Sequence, residues 1–216
     1  MVLTDEQQAA IAMAWEHRPA SVYDGQFFHV TGIQPRAGAH EISGVFTSYQ
    51  VYFAQKQLGT DFGVRPLGVS GLTLCQDHII LAQRASVVTA YANALECVPS
   101  GSLSAEYARP GGEVDYMAQL RAEFHEEVGL PPARVVQTTP FAVVYDMQDR
   151  VYDVVCTLAV DATLDEVLGA MQNSAEYTRP RAVPLADLGA WFGAHRAQLI
   201  PTSQAILSLW MRRPGP

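Results

Sequence analysis

The stretch Glu123-Phe124-His125-Glu126-Glu127-Val128-Gly129-Leu130 carries the most informative pattern in this sequence. Its three glutamates lie at positions i, i+3 and i+4, so an α-helix presents their carboxylates on one side, over an arc of roughly 100°. Apolar residues at helical spacing form an adjoining stripe: Tyr116, Met117, Leu120, Phe124 and Val128. We therefore predict a helix from about Val114 to Val128 that packs on a sheet while its acidic edge faces a cleft.

These three carboxylates repel one another on adjacent helical turns, at roughly a few tenths of a kcal/mol per pair. A divalent cation removes that penalty, and carboxylate oxygens are ligands that suit Mg²⁺ or Mn²⁺. We therefore predict Glu123, Glu126 and Glu127 as metal ligands. An isolated Glu-x-x-Glu-Glu is more often a solvated acidic face, so the rest of the chain has to decide between the two interpretations.

The wider sequence resembles the Nudix hydrolase superfamily. The stretch from Glu123 to Leu130 is similar to the second half of the Nudix box, which reads G-x5-E-x7-R-E-U-x-E-E-x-G-U with U aliphatic. Val98-Pro99-Ser100-Gly101 resembles the strand end and glycine turn that open the box, and Arg181-Ala182-Val183-Pro184-Leu185 resembles the late strand before the final helix. The resemblance implies an α/β (α+β) fold, an α/β/α sandwich with a mixed sheet, and Mg²⁺-dependent or Mn²⁺-dependent hydrolysis of a P–O–P linkage.

Two parts of the box depart from the family pattern. Ala122 stands where the family has Arg, and Arg121 lies about 100° away round the helix, so it cannot simply replace that Arg. The loop from Gly101 to Gly112 is longer than the pattern allows, and Glu113 is one place too early for the acid in the middle of the box. The long loop could supply another orienting group, such as Arg109. These departures fit either a divergent active enzyme or a Nudix-fold module that binds nucleotides without turnover.

The resemblance also implies roles for individual residues. Glu123, Glu127 and Glu176 are the candidate catalytic acids, and the general base is one of the helix acids or Glu176, just before the late strand. Arg84, Ser100 and Gly101 are the candidate substrate-binding residues, since a guanidinium suits a diphosphate. The alternatives are a solvated loop acid for Glu176 and a surface salt bridge for Arg84.

The first 66 residues indicate a class of substrate. Their aromatic and glycine clusters are similar to the N-terminal region of the animal Nudix enzymes that hydrolyse UDP-glucose and UDP-galactose: Tyr23-Asp24-Gly25-Gln26-Phe27, Phe46-Thr47-Ser48-Tyr49 and Leu58-Gly59-Thr60-Asp61-Phe62. The resemblance implies cleavage of a UDP-sugar to UMP and a sugar 1-phosphate, with ADP-ribose or another nucleoside diphosphate compound as the alternative. Phe27, Phe28 and Phe46 are interpreted first as core residues. We place an N-terminal extension at residues 1–66 and a hydrolase domain at 67–216.

Capping and turn residues predict the remaining elements. We expect helices from Thr4 towards Pro19 and over Ser48–Leu58, Leu164–Met171, Ala186–Gln198 and Ser203–Arg212. We expect a strand around Phe27, hairpins from 69–74 with 78–83 and from 135–145 with 151–160, and short strands at 95–98 and 181–183.

Composition narrows the class of protein. Of 216 residues 49% are hydrophobic, which is typical of a chain that buries a core, and the net charge of −8 argues against nucleic-acid binding through the overall field. Cys75, Cys97 and Cys156 lack the spacing of a metal motif and are expected to be reduced packing residues. Because the sequence contains no stretch that resembles a signal peptide or a membrane span, we expect a cytoplasmic protein without a membrane partner. A homodimer is one possible assembly state.

Overall fold

The computed structural model describes residues 3–20, 22–88 and 90–213. Two compact units make up the chain, and each draws on separate stretches. The first comprises Met1–Gly68, Ser102–Asp115 and Tyr145–Tyr152, and the second comprises Val69–Gly101, Tyr116–Val144 and Asp153–Pro216. The domain boundary between residues 66 and 67 stays a prediction.

The first unit begins with helix α1 (Asp5–Glu16), followed by strands β1 (Gln26–Arg36) and β2 (Ala39–Ser48) and helix α2 (Tyr49–Leu58). Thr4 and Gln7 form the predicted capping box, and Gly59 ends α2 with a φ of 64°. β1 and β2 pair as an antiparallel hairpin. β2 is absent from the strands predicted above, because its residues are mostly exposed or half-buried and show no clear apolar alternation.

Two small apolar clusters form the core of this unit. Phe27, Tyr52 and Val64 make one, and Ile11, Ala54 and Phe62 make the other. Phe28 is also buried and packs edge-on against Phe46, with ring centroids 5.5 Å apart. The interpretation of Phe27 and Phe28 as core residues is therefore confirmed.

Over the residues that the structure describes, the principal sheet has seven strands: β3 (Leu67–Cys75), β4 (His78–Arg84), β5 (Leu95–Cys97), β6 (Ser100–Ser102), β7 (Val135–Asp146), β8 (Val151–Val160) and β9 (Tyr177–Pro184). Their order is β5-β4-β3-β8-β7, with β6 paired to β3 and β9 paired to β4. Both predicted hairpins are present, and the first turns at Gln76 with a φ of 55°. β4 pairs with both β5 and β9, so this strand brings residues from distant parts of the chain together.

The α-helices described in the second unit are α3 (Tyr116–Glu123), α4 (Leu164–Ala170), α5 (Leu188–His195) and α6 (Pro201–Met211). α4 starts at the predicted capping box of Thr163 and Glu166. Strand residues such as Leu72, Ile79 and Val155 pack with helix residues such as Ile206 in one apolar core. A mixed sheet with helices is the predicted fold class.

The three cysteines are buried and unpaired. Burial raises the pKa of the Cys97 and Cys156 thiols to about 12, so both stay protonated at neutral pH and act as packing residues. Within the described ranges, no helix combines the length and the apolar composition that are needed to cross a membrane.

Candidate active site

The helix with the three glutamates differs from the predicted one in its second half. α3 is α-helical to Glu123, a π-helical turn follows over Phe124–Val128, and Gly129 ends it with a φ of 82°. The predicted helix is therefore present over residues 116–128, but the spacing of the glutamates did not predict its π turn. Within this turn Glu127 is only 4% exposed, whereas Glu126 is exposed and Glu123, just before the turn, is half-buried. The three carboxylates thus occupy three different environments. Single π turns such as this one are frequent at functional sites.

Glu127 lies against the turn that leads into β6. The backbone N–H of Ser100 donates a hydrogen bond to Glu127 Oε2 at 2.8 Å. Burial raises the pKa of this carboxyl well above its ordinary value, and the negative charges of Glu96, Glu123 and Glu176 raise it further. The Ser100 N–H opposes this rise because it stabilises the charged form.

Glu123 is oriented by a residue that we did not predict. The side-chain amide of Gln119, itself buried, donates to Glu123 Oε1 at 3.1 Å. Burial raises the pKa of Glu123 to about 7, the Gln119 hydrogen bond lowers it, and the charges of Glu126 and Glu176 raise it. Arg109, proposed from the sequence as an orienting group, instead pairs with Asp115. The available signal for Gln119 was its i, i+4 spacing to Glu123.

Gly101 has no side chain and therefore leaves space for the Glu123 carboxylate. A Cβ at this position would lie 2.1 Å from Glu123 Oε1, so any side chain there would displace the carboxylate. Ser100 and Gly101, predicted as substrate-binding residues, thus contact the buried Glu127 and the half-buried Glu123.

Glu96 is a further buried carboxylate that sequence reasoning missed. It accepts hydrogen bonds from Ser100 Oγ at 3.1 Å and from the Tyr177 hydroxyl at 2.8 Å, and it pairs with the Arg84 guanidinium. Arg84 Nε also donates to the Ala90 carbonyl oxygen at 2.9 Å. The signal was a charged residue in the buried strand Leu95–Cys97, because glutamate is rarely buried without partners.

Glu176 is exposed at the residue before β9. Its negative charge raises the pKa values of both Glu123 and Glu127, so it lies within electrostatic range of the two. The fold therefore brings this acid, remote in sequence, to the same region of the second unit.

The carboxylates of Glu123, Glu126 and Glu127 fit a divalent cation only in part. Across the portions of the chain that the structure describes, no three His, Cys, Asp or Glu side chains converge as a ready metal site. Mg²⁺, however, commonly takes one or two carboxylates and completes its shell with water and substrate phosphate. Glu123 and Glu127 form such a pair, and their mutual repulsion is what a cation would neutralise. The exposed Glu126 is the least engaged of the three predicted ligands.

Comparison with known proteins gives the fold. The sequence matches no family model and no curated protein. Among solved structures, a Deinococcus radiodurans protein is 18% identical with a TM-score of 0.52, over 79% of this chain and 93% of that one. The bifunctional NMN adenylyltransferase/ADP ribose pyrophosphatase of Francisella tularensis is 14% identical with a TM-score of 0.52, over 76% of this chain and 46% of that one. Tm1382, a protein assigned to the Nudix hydrolases, is 9% identical with a TM-score of 0.50, over 78% of both chains. At these identities the likeness establishes a Nudix-type fold, as predicted.

Proposed function

We propose that this protein is a Nudix hydrolase that cleaves the diphosphate of a nucleoside diphosphate-linked compound in the presence of Mg²⁺ or Mn²⁺. The observation that carries the proposal is the neighbouring pair Glu123 and Glu127, which is held at the glycine turn by Gln119 and the Ser100 N–H. Placing a half-buried carboxylate beside a buried one is unfavourable unless a cation compensates their charge. A structural role alone would not require the pair.

In this mechanism Glu123 and Glu127 would hold the ion, with Glu126 as a further candidate ligand. When bound there, the ion would supply positive charge that polarises a phosphoryl oxygen and acidifies water. Gln119 and Ser100 fix the orientation of the two carboxylates, and Gly101 leaves room for Glu123. The attacking water adds to one phosphorus as the P–O bond of the anhydride breaks, and a carboxylate takes its proton.

Glu176 is the best candidate for that general base. It is exposed, lies within electrostatic range of the proposed ligands and is not needed to hold the ion. Glu176→Gln should lower kcat by about 100-fold, a typical contribution of general base catalysis, while Mn²⁺ affinity stays unchanged. A Glu176→Gln enzyme with the wild-type kcat would return this role to a carboxylate of the helix.

Within the proposed class, the substrate we favour is a UDP-sugar, on the resemblance of the N-terminal region. Phe27 and Phe28 are buried in packing contacts, so any stacking on uracil would fall to other side chains. ADP-ribose is the second candidate, because the Francisella tularensis neighbour carries an ADP ribose pyrophosphatase activity and has been solved with AMP and a manganese ion.

A substrate panel separates these alternatives. The protein is incubated with UDP-glucose, ADP-ribose, NADH and deoxynucleoside triphosphates, with Mg²⁺ or Mn²⁺ or with a chelator, and phosphate is measured after coupling to a phosphatase. We expect metal-dependent release from UDP-glucose. Release confined to ADP-ribose would reject the UDP-sugar, and nucleotide binding without turnover would identify a binding module instead of an enzyme.

Glu127→Gln tests the ligand assignment. The substitution removes one anionic ligand at nearly constant volume, so metal-dependent turnover should be lost while the folded structure is retained. Glu16→Gln, an exposed acid in the last turn of α1, is the matched control and should leave turnover unchanged. Wild-type rates in Glu127→Gln would refute Glu127 as a ligand.

A further inference from the structure

A hydrogen-bonded cluster of Arg84, Glu96, Ser100 and Tyr177 adjoins the carboxylate pair. We propose that Glu96 is a positioning residue, which holds the Ser100 turn against Glu127 and does not itself bind metal or substrate. This inference rests on the proposed function, since the site that Glu96 positions is the proposed hydrolytic site.

The oxygens of Glu96 already have protein partners. Oε1 accepts from Ser100 Oγ at 3.1 Å, and Oε2 accepts from the Tyr177 hydroxyl at 2.8 Å and from Arg84. Glu96 and Tyr177 are 4% and 2% exposed, so these bonds are shielded from water. Both oxygens are satisfied in this way, so ligating a cation would require Glu96 to give up donors that it already has.

Ser100 connects Glu96 to the carboxylate pair. Its side chain donates to Glu96, and its backbone N–H donates to Glu127 Oε2 at 2.8 Å. The next residue, Gly101, lies directly against the Glu123 carboxylate. A shift of this one turn would therefore disturb both proposed ligands, and the hydroxyl of Ser100 anchors the turn to Glu96.

In this arrangement Arg84 pairs with Glu96, whereas the family resemblance implied that Arg84 contacts a phosphate. Its guanidinium neutralises the buried Glu96 and also donates to the Ala90 carbonyl oxygen. Without Arg84, Glu96 would be a buried and poorly compensated charge close to Glu127. The closeness of Glu96 to Glu127 agrees with the raised pKa of Glu127. After burial, the charge of Glu96 is the largest influence that raises this pKa.

The test uses Ser100→Ala, which keeps the backbone N–H but removes the anchor to Glu96. Glu96 retains Arg84 and Tyr177 in this variant, so the protein should fold. Mn²⁺ affinity is measured by electron paramagnetic resonance without substrate, and kcat, KM and the melting temperature are measured alongside. We expect Mn²⁺ binding to weaken by about 10-fold or more, the usual effect of removing a group that orients a metal ligand, with a lower kcat and little change in KM. Ser208→Ala, which also loses a hydroxyl hydrogen bond, to the Gln204 carbonyl oxygen, is the matched control and should bind Mn²⁺ as the wild type does.

A pair of charge variants separates positioning from simple support of the fold. Arg84→Gln should lower the melting temperature, because it leaves Glu96 unpaired, and the double variant Arg84→Gln/Glu96→Gln should recover it. The double variant should still bind Mn²⁺ weakly, since the anionic anchor for Ser100 is gone. Recovery of both properties would show that the cluster serves only stability and would overturn the inference.

The remaining outcomes are distinct. Wild-type Mn²⁺ affinity in Ser100→Ala and in Glu96→Gln would reject Glu96 as a positioning residue while leaving the proposed function intact. A wild-type protein that neither binds Mn²⁺ nor turns over any substrate of the panel would reject the proposed function itself. A raised KM in Arg84→Gln with unchanged Mn²⁺ affinity would return Arg84 to the role of phosphate contact.

Discussion

The side-chain amide of Gln119 donates a hydrogen bond to Glu123 Oε1 at 3.1 Å, one helical turn further along α3. In the Nudix box that this chain resembles, the residue before the first helical glutamate is an arginine, and here it is Ala122. Gln119 reaches the same carboxylate from the i−4 position and remains neutral, so it orients Glu123 without neutralising it. The charge that balances Glu123 then has to come from elsewhere, and a divalent cation would provide it.

Gln119→Met should therefore reduce metal-dependent turnover by about 10-fold to 100-fold, the range typical of residues that orient a metal ligand. Methionine keeps roughly the length and volume of the side chain and removes its amide, so the change in turnover should exceed the change in melting temperature. Steady-state hydrolysis and Mn²⁺ titration measure the effect. Gln172→Met, at an exposed helical position, is the control. Equal activity in the Gln119 variant would mean that another group orients Glu123.

Gly101→Ala should abolish most turnover, because the new methyl group would lie 2.1 Å from Glu123 Oε1. Moving the carboxylate away relieves the clash, so the stability penalty should stay within about 1–3 kcal/mol, as for other overpacked positions. Turnover and urea denaturation report the two effects separately. Gly193→Ala is the control, since a Cβ there meets nothing within 4 Å and alanine is favoured over glycine in a helix by about 1 kcal/mol. An active Gly101→Ala enzyme would contradict the placement of Glu123.

The stability of the metal-free protein should depend on the protonation of the carboxylate pair. The folded-state pKa of Glu123 is raised from 4.5 to about 7, and that of Glu127 is also raised. This contribution to stability is therefore complete below about pH 4.5 and is lost as the pH rises through about 7. Melting temperatures in chelator should fall across this window more steeply for the wild type than for Glu123→Gln. Adding Mg²⁺ at pH 8 should restore stability to the wild type. A wild type and variant with parallel profiles would contradict this electrostatic picture.

His29 gives the first unit a pH dependence of the opposite sign. Its Nδ1 accepts the backbone N–H of Arg65 at 3.1 Å, and burial lowers the pKa of the ring below 6.5. The stability that the neutral ring contributes is present above about pH 6.5 and is lost as the pH falls towards the lowered pKa. His29→Asn supplies an amide oxygen as acceptor and should be less sensitive to acid as the pH falls below about 6.5. Thermal unfolding followed by circular dichroism makes the comparison, and equal acid sensitivity of the two proteins would exclude His29.

Local chemistry was sufficient to predict most elements of the fold. The capping boxes at Thr4 and Thr163 and the left-handed Gly59 set the ends of their helices within a few residues, as predicted. β2 was missed because its exposed residues carry no apolar alternation. The π turn over Phe124–Val128 was missed because helical spacing alone does not distinguish it from an α-helix, and the burial of Glu127 depends on the Ser100 turn that it meets.

The sequence by itself determined that three glutamates lie close together at helical spacing beside a glycine, and the resemblance to the Nudix box made a cation site the prediction for them. Only the tertiary structure decided which acids are buried and what holds them. Glu96 and Tyr177 are 81 positions apart and Ser100 and Glu127 are 27 apart, yet each pair is joined by a hydrogen bond. These bonds form because β4 pairs with both β5 and β9 and because the helix packs on the turn that leads into β6. Strand pairing and burial are long-range properties, whereas caps, turns and residue spacing are local, and the candidate site depends on both.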